Sequence, residues 1–397
     1  MSDLDNFTPK PTADGSFTFF SHEFGESFHS HYGARQESFL KFVDPTQLAL
    51  RANKPTLRLL DVCYGLGYNT AAALQAIWAV NPNCYVEVIG LEMNPAVPQA
   101  AIAHDLFDNW GYEYTQILTQ LAFEHQVLQH RLKATLLIGD ARNSMRFVNN
   151  SGFQADAIFL DPFSPPHCPQ LWTIEFIKQL SMSLDVSGLL ATYSCAAAVR
   201  TALLAAGLEI GSTPPVGRKT PGTVAGHRGV GGVGEAGEVG EQRISPSSPR
   251  QSHGRDGQFL PEGNPPQNCP WEPPHGETAL QEGFPTHQAT AFVVSPADRH
   301  SRREACPKDI DVPKANPIAQ RLRQETGAGS SSVLPPLSQA EHEHLLTRAA
   351  IAYRDPQLCD TADVILRRRQ QEQQASFLEP TSRWRKRWLS KSLLESV

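Results

Sequence analysis

Between residues 57 and 225, short apolar runs alternate with longer stretches in which Ala and Leu recur at helical spacing. The runs are LRLLDV (57–62), YVEVIGL (85–91), ATLLIG (134–139), DAIFL (156–160) and LLATYS (189–194). Runs of this length and β-branched content read as strands buried on both faces. Stretches such as Tyr68 to Val80 and Ala196 to Ala206 read as the helices between them. Strand and helix in repeated alternation predict an α/β fold built on a doubly wound, mostly parallel sheet.

The pattern breaks on both sides of this region. Residues 1–56 are rich in Phe, His and Ser and form an N-terminal extension to a core over 57–225. Over 226–336 the chain turns to Gly, Pro, Ser and charge, as in GVGGVGEAGEVGEQ and PEGNPPQNCPWEPPHGE, with QATAFVV the one candidate strand. So little apolar periodicity predicts a long disordered insertion rather than a packed second domain. Helical spacing resumes over 337–397, opened by Ser338 as N-cap with Glu341 three residues on.

Composition narrows the classes. With 40% hydrophobic residues in 397, the chain can bury a real core. No run approaches the ~20 apolar residues of a membrane span, and the N-terminus lacks a signal-type apolar stretch, so a cytoplasmic protein is expected. Seven scattered cysteines fit neither a disulfide framework nor a zinc site. A net charge of −6 argues against nucleic-acid binding by the whole surface. The C-terminal segment departs from that average: Arg367, Arg368, Arg369, Arg383, Arg385, Lys386 and Arg387 are interleaved with Trp384 and Trp388. Such a tail either contacts RNA or packs on the core through its aromatic faces, and the residues leave both open.

The strand ends carry the candidate chemistry. The first strand runs through Asp61 into Cys63-Tyr64-Gly65-Leu66-Gly67-Tyr68-Asn69, where Gly65 and Gly67 permit close backbone approach of a ligand. A dinucleotide fingerprint needs a third glycine and a P-loop needs Gly-Lys-Ser/Thr; neither is present. The second strand ends at Glu92, whose carboxylate can take both hydroxyls of a ribose; the third ends at Asp140-Ala141, and an Asp at that place in this type of fold commonly caps an adenine amino group, with Ala141 supplying a backbone donor. In S-adenosylmethionine enzymes the acidic residue at the first position, here Asp61, serves the methionine ammonium. Each acidic strand end alone is also a common N-cap; three in register point to a nucleoside ligand.

The fourth strand ends Phe159-Leu160-Asp161-Pro162-Phe163-Ser164-Pro165-Pro166, which is similar to the Asp/Asn-Pro-Pro-aromatic motif of amine N-methyltransferases. An amine attacking a sulfonium methyl must be neutral and aligned; Asp161 can orient it and take its proton, and Phe163 can wall the pocket against a cation. The alternative is a Pro-fixed turn capped by Asp161. Cys168 beside His167 is too close in sequence for a nucleophilic pair, and His29/His31 and His342/His344, at i and i+2, diverge too far to share a metal. No metal is expected.

Taken together, the chain resembles the MnmC-type methyltransferases, and within them the single-domain, MnmD-type members. Thr12-Ala13-Asp14-Gly15-Ser16, Glu23-Phe24-Gly25-Glu26, Tyr32-Gly33-Ala34 with Gln36-Glu37-Ser38, the Asp61–Asn69 loop, FLDPFSP with Leu171-Trp172-Thr173, and Gly217-Arg218-Lys219 carry the likeness. It implies a Rossmann-like class I fold with a mostly parallel seven-stranded sheet flanked by helices. It also implies S-adenosyl-L-methionine as cofactor, held by Asp61, Gly65, Gly67, Asn69, Glu92, Asp140 and Ala141, with Asp161 catalytic. Tyr32, Gln36, Glu37, Phe163, Trp172, Arg218 and Lys219 would face the substrate. The implied reaction is N-methylation of the 5-aminomethyl group of the wobble (thio)uridine of tRNA, on substrate prepared by the enzymes that install the aminomethyl group. Cys63 stands where many class I enzymes have glycine, which is compatible with binding provided φ there stays negative. No GxGxxG strand–helix unit follows residue 225, so methylation without an FAD-dependent oxidase step is expected. A small-molecule amine methyltransferase or spermidine-synthase-like aminopropyltransferase, and a non-catalytic tRNA-binding module, are the competing readings.

Overall fold

The computed structural model describes residues 7–217, 220–229 and 334–394. One mixed sheet of eight strands organises them: β1 (Thr56–Val62), β2 (Tyr85–Glu92), β3 (Gln126–Gln129), β4 (Leu132–Ile138), β5 (Ala155–Leu160), β6 (Leu184–Thr192), β7 (Glu209–Thr213) and β8 (Gly222–Gly226). Their spatial order is β7-β8-β6-β5-β1-β2-β4-β3. The five central strands run parallel, whereas β8 pairs antiparallel with β6 and β7, and β3 antiparallel with β4. The five predicted runs are the five central strands. The eighth strand, β3, reads QVLQ and gives no apolar run, because it lies at the sheet edge and buries one residue, Val127.

Helices α1 (Tyr68–Val80), α2 (Ala96–Ala103), α3 (Tyr112–Glu124), α4 (Ala141–Asn150), α5 (Ile174–Met182) and α6 (Ala197–Ala205) connect or cover the strands. Two apolar clusters fill the faces. One gathers Leu57, Leu59, Val86, Val88 and Phe107 with α1 and α3; the other gathers Leu60, Val62, Ile158, Trp172, Phe176 and Leu203 with α4, α5 and α6. β5 is buried along its whole length, as a parallel strand covered on both faces must be.

The N-terminal residues form two short ladders, Lys10–Pro11 with Phe17–Thr18 and Phe20–Ser21 with Glu26–Ser27. The core reaches beyond the expected boundaries. β8 ends at Gly226 rather than 225, and Leu334 packs with Leu189 and Val224 while Pro335 accepts the Ser212 N–H at 3.0 Å. The disorder expected over 226–336 and the candidate strand QATAFVV otherwise lie outside the described residues. Helix α7 (Gln339–His344) begins with the expected capping box between Ser338 and Glu341. It is followed by α8 (Ala362–Ala375) and α9 (Thr381–Leu394).

Candidate active site

Strand order reverses between β1 and β5, and the loops leaving their carboxyl ends open there, where doubly wound folds bind ligands. A cavity of ≈ 1130 Å³ occupies the position. Of the residues singled out from sequence, Glu37, Gly65, Glu92, Asp140, Ala141, Asp161 and Phe163 line it.

The glycine loop is folded tightly. Gly65 and Gly67 have φ 56° and 98°, and a Cβ on Gly67 would stand 2.7 Å from the Tyr64 hydroxyl oxygen. Cys63 overturns one expectation: its φ is +67°, in the left-handed region that favours glycine. The turn from β1 needs that conformation whichever residue occupies it.

Glu92 closes the loop from β2, accepting the Gly65 N–H at 2.8 Å on Oε2 and the Asn94 N–H at 2.9 Å on Oε1. Burial raises its pKa, against the pull of these backbone donors. Asp61 is fully buried behind the loop and does not line the cavity. Its Oδ2 accepts the Thr70 hydroxyl at 2.7 Å, while Oδ1 is buried without a partner. Burial, with a smaller contribution from Glu92, pushes Asp61 up to about 7.

Asp161 emerges from β5 into the cavity. Asn69, in the first turn of α1, donates Nδ2–H to its Oδ2 at 2.9 Å. Asn69 therefore serves Asp161 rather than lining the main cavity. Burial is the largest influence on Asp161 and, aided by Asp61 and Glu37, takes it to about 8 despite the Asn69 bond and Lys41.

The loop after Asp161 is latched to the N-terminal extension, an arrangement not read from the sequence. Phe24 stacks on Phe163 at 4.4 Å and Phe28 meets it edge-on at 5.0 Å. Glu26 accepts the Ser164 N–H at 2.9 Å and the Ser164 hydroxyl, and pairs with His167 at 3.2 Å. Glu23-Phe24-Gly25-Glu26 carried part of the family likeness, so the signal was present without a role attached. Glu37 forms a buried pair with Lys41 at 2.8 Å and accepts the Ser30 hydroxyl.

Three expected substrate contacts sit elsewhere. Trp172 is completely buried and donates Nε1–H to the Phe163 carbonyl at 2.8 Å, so it supports the loop from behind instead of facing substrate. Tyr32 is half-exposed and lies against Gly217, and Gln36 donates its backbone N–H to Asp14, both away from the cavity lining. Arg218 and Lys219 lie outside the described residues.

The C-terminal cations divide. Arg368 bonds Asp360, Arg369 lies over Tyr353 and caps the Ile351 and Ala349 carbonyls, and Arg387 pairs with Glu379 and Glu343. Trp384 stacks on His344 at 4.2 Å and Trp388 donates to Glu343. Packing through the aromatic faces is thus realised, with Arg383 and Arg385 exposed on the same helix.

A glycine-bearing turn, acidic strand ends in register and a cavity at the switch point define an S-adenosyl-L-methionine-dependent methyltransferase. A family model so described matches residues 104–228. An uncharacterized protein of Methanocaldococcus jannaschii is 31% identical over 54% of this chain and 58% of its own length. The tRNA 5-methylaminomethyl-2-thiouridine biosynthesis bifunctional protein MnmC of Aromatoleum aromaticum is 29% identical over 52% of this chain and 34% of its own. The chain therefore spans well under two thirds of these curated relatives. The crystal structure of MnmC2 from Aquifex aeolicus is 35% identical, with 56% of this chain and 70% of that one covered and a TM-score of 0.49. The chain thus matches the S-adenosyl-L-methionine-dependent methyltransferase family model over residues 104–228 and is similar in sequence to MnmC proteins.

Proposed function

We propose that this protein transfers a methyl group from S-adenosyl-L-methionine to the 5-aminomethyl nitrogen of a wobble (thio)uridine in tRNA. The observation that carries the reading is Asp161. It is a cavity-lining carboxylate at the end of β5, held by Asn69 and followed by Pro162 and the aromatic Phe163. An amine acceptor needs a proton acceptor there, whereas an already acidic oxygen acceptor does not. The MnmC name of the relatives supplies the tRNA and the position on the base.

The residues fit the cofactor. Glu92 and Asp140 line the cavity just at or beyond the ends of neighbouring parallel strands, placed for the ribose and adenine, while Asp61 keeps a buried, unpartnered oxygen behind the glycine loop. When bound, the cofactor supplies an electrophilic methyl on a sulfonium. Asp161 accepts a hydrogen bond from the incoming amine, aligns its lone pair and takes the proton released as the nitrogen gains the methyl. Asn69 keeps the carboxylate turned toward the cavity. The Phe24–Phe163–Phe28 group excludes water and gives a planar surface on which an unstacked base can rest.

The deciding experiment is transfer of labelled methyl to tRNA from cells that lack the aminomethyl-methylating enzyme, followed by nucleoside mass analysis. Conversion of 5-aminomethyl to 5-methylaminomethyl uridines is expected. Cofactor binding with no label in tRNA would favour the second reading, a small amine acceptor, which the acidic cavity lining of Glu23, Glu26 and Glu37 also suits.

A further inference from the structure

The acidic end of β4 is held in place from far along the chain. Asp140 caps α4, and its carboxylate takes four hydrogen bonds from Arg142. Oδ1 accepts the backbone N–H at 2.9 Å and Nε–H at 3.1 Å; Oδ2 accepts Nε–H at 3.1 Å and Nη2–H at 2.7 Å. The other guanidinium nitrogen, Nη1, donates to Asp355 Oδ2 and to the Asp360 carbonyl, each at 2.9 Å.

Asp355 is itself fixed. Its side chain is fully buried, and its Oδ1 accepts the N–H groups of Cys359 and Asp360, both at 3.1 Å. Its own N–H is donated to Glu175 of α5 at 2.8 Å, and Glu175 takes Arg354 Nε at 2.7 Å. Glu175, Asp355, Arg142 and Asp140 form one continuous polar chain that ends in the cavity wall, where Arg142 and Asp140 stand beside Gly139 and Ala141. A planar guanidinium held by carboxylates on both sides has a single orientation, and it imposes that orientation on the carboxylates.

We infer that Arg142 and Asp355 are positioning residues for the purine end of the cofactor: Asp355 aims Arg142, and Arg142 fixes the Asp140 carboxylate that receives the exocyclic amino group. The inference rests on the cofactor assignment of this cavity. It makes the segment beyond residue 334 a working part of a site whose cavity lining, among the described residues, runs from Phe7 to Tyr193. The Asp140 carboxylate offers only acceptors, so a ligand with a carbonyl in place of the amino donor meets an acceptor facing an acceptor.

The test is equilibrium calorimetry on the full chain with S-adenosylhomocysteine and its 6-oxopurine counterpart, S-inosylhomocysteine, with melting temperature measured alongside. The wild type is expected to prefer the amino form by about tenfold or more, the scale of one charge-assisted hydrogen bond. Arg142→Lys keeps the charge and loses the fork; Asp355→Asn keeps the shape and loses the charge. Both should weaken the amino form about tenfold and change the 6-oxo form less than about threefold. Arg142→Lys leaves Asp355 with a cation, so it carries the test if Asp355→Asn does not fold. Equal weakening of both ligands, an unchanged preference in the variants, or no preference in the wild type overturns the inference. A wild type that binds neither ligand overturns the cofactor assignment beneath it.

Discussion

Asp61 and Asp161 are acids made weak by burial, and this gives the protein a pH signature. Both have folded-state pKa values raised above the ordinary carboxylate range, to about 7 and about 8. The folded state therefore binds protons more tightly than the unfolded chain. The stability these groups contribute is complete below about pH 4 and is lost as pH rises through 7 and 8. Catalysis runs the other way, because the proton acceptor is the ionised form. We expect kcat/KM to rise through about pH 8 and level off above about pH 9, while the melting temperature of the ligand-free protein falls as pH rises through 7 and 8. A flat rate profile would remove Asp161 as the base. Asp161→Asn should lower turnover by ~100-fold or more with cofactor affinity nearly unchanged, as read by single-turnover kinetics and calorimetry.

What could be read from sequence at this scale follows chemistry and spacing. The acidic strand ends and the Asp161-Pro162-Phe163 turn were legible because each sits at a fixed place after an apolar run. Asn69 as the partner of Asp161 was not, because that bond joins residues brought together by the pairing of β1 with β5. The positive φ of Cys63 was misread for a similar reason: side-chain size is visible in a sequence, and the backbone path is not. Cys63→Gly is expected to relieve a left-handed penalty of about 1–2 kcal/mol while adding about 1 kcal/mol of unfolded-state entropy. Denaturant unfolding should thus show little change or a slight gain in stability.

At the scale of elements, the strongly apolar strands and α1 were legible, whereas EIGST and GTVAG, the sequences of β7 and β8, were not read as strands. Their small residues leave room for neighbours: a Cβ on Gly211 would meet the Pro335 carbonyl at 2.5 Å. Arg200 of α6 ties this edge together. Its side chain is almost fully buried and bonds Thr223, Gly222 and Ser212, and it pairs with Glu341 of α7 at 2.7 Å. Against the effect of burial, the Ser212 hydroxyl at 2.7 Å, the Ser338 capping box and Arg200 hold Glu341 down to about 2. The stability linked to it is present above the ordinary glutamate pKa and lost as pH falls toward 2. Removing one partner strands a buried charge, so Glu341→Ala should cost about 3 kcal/mol in urea unfolding. A cost below about 1 kcal/mol would show that Arg200 finds solvent instead.

For the whole molecule, net charge and local charge tell different stories. Exposed Arg383 and Arg385 ride on a helix pinned by Trp384 and Trp388, so packing takes the aromatic faces and leaves these two cations to the proposed RNA contact. Reversing both to Glu should raise the KM for tRNA and flatten its salt dependence by ~1 logarithmic unit per lost phosphate contact, with cofactor affinity constant. An unchanged salt slope would assign the tail to packing alone.

The two flanks of residues 230–333 are anchored on one antiparallel edge: Gly226 pairs with Glu209 and Leu189, and Leu334 and Pro335 return onto Val224 and Ser212. For the disorder expected from sequence between these flanks, the fold would close a ring through that edge, and the entropy of ring closure grows only with the logarithm of contour length. Exchanging roughly a hundred residues for about a dozen of Gly and Ser removes three doublings, a gain of about 2 kcal/mol. On that expectation the sheet edge bears the cost of the first few loop residues, which is far more than that of the last hundred.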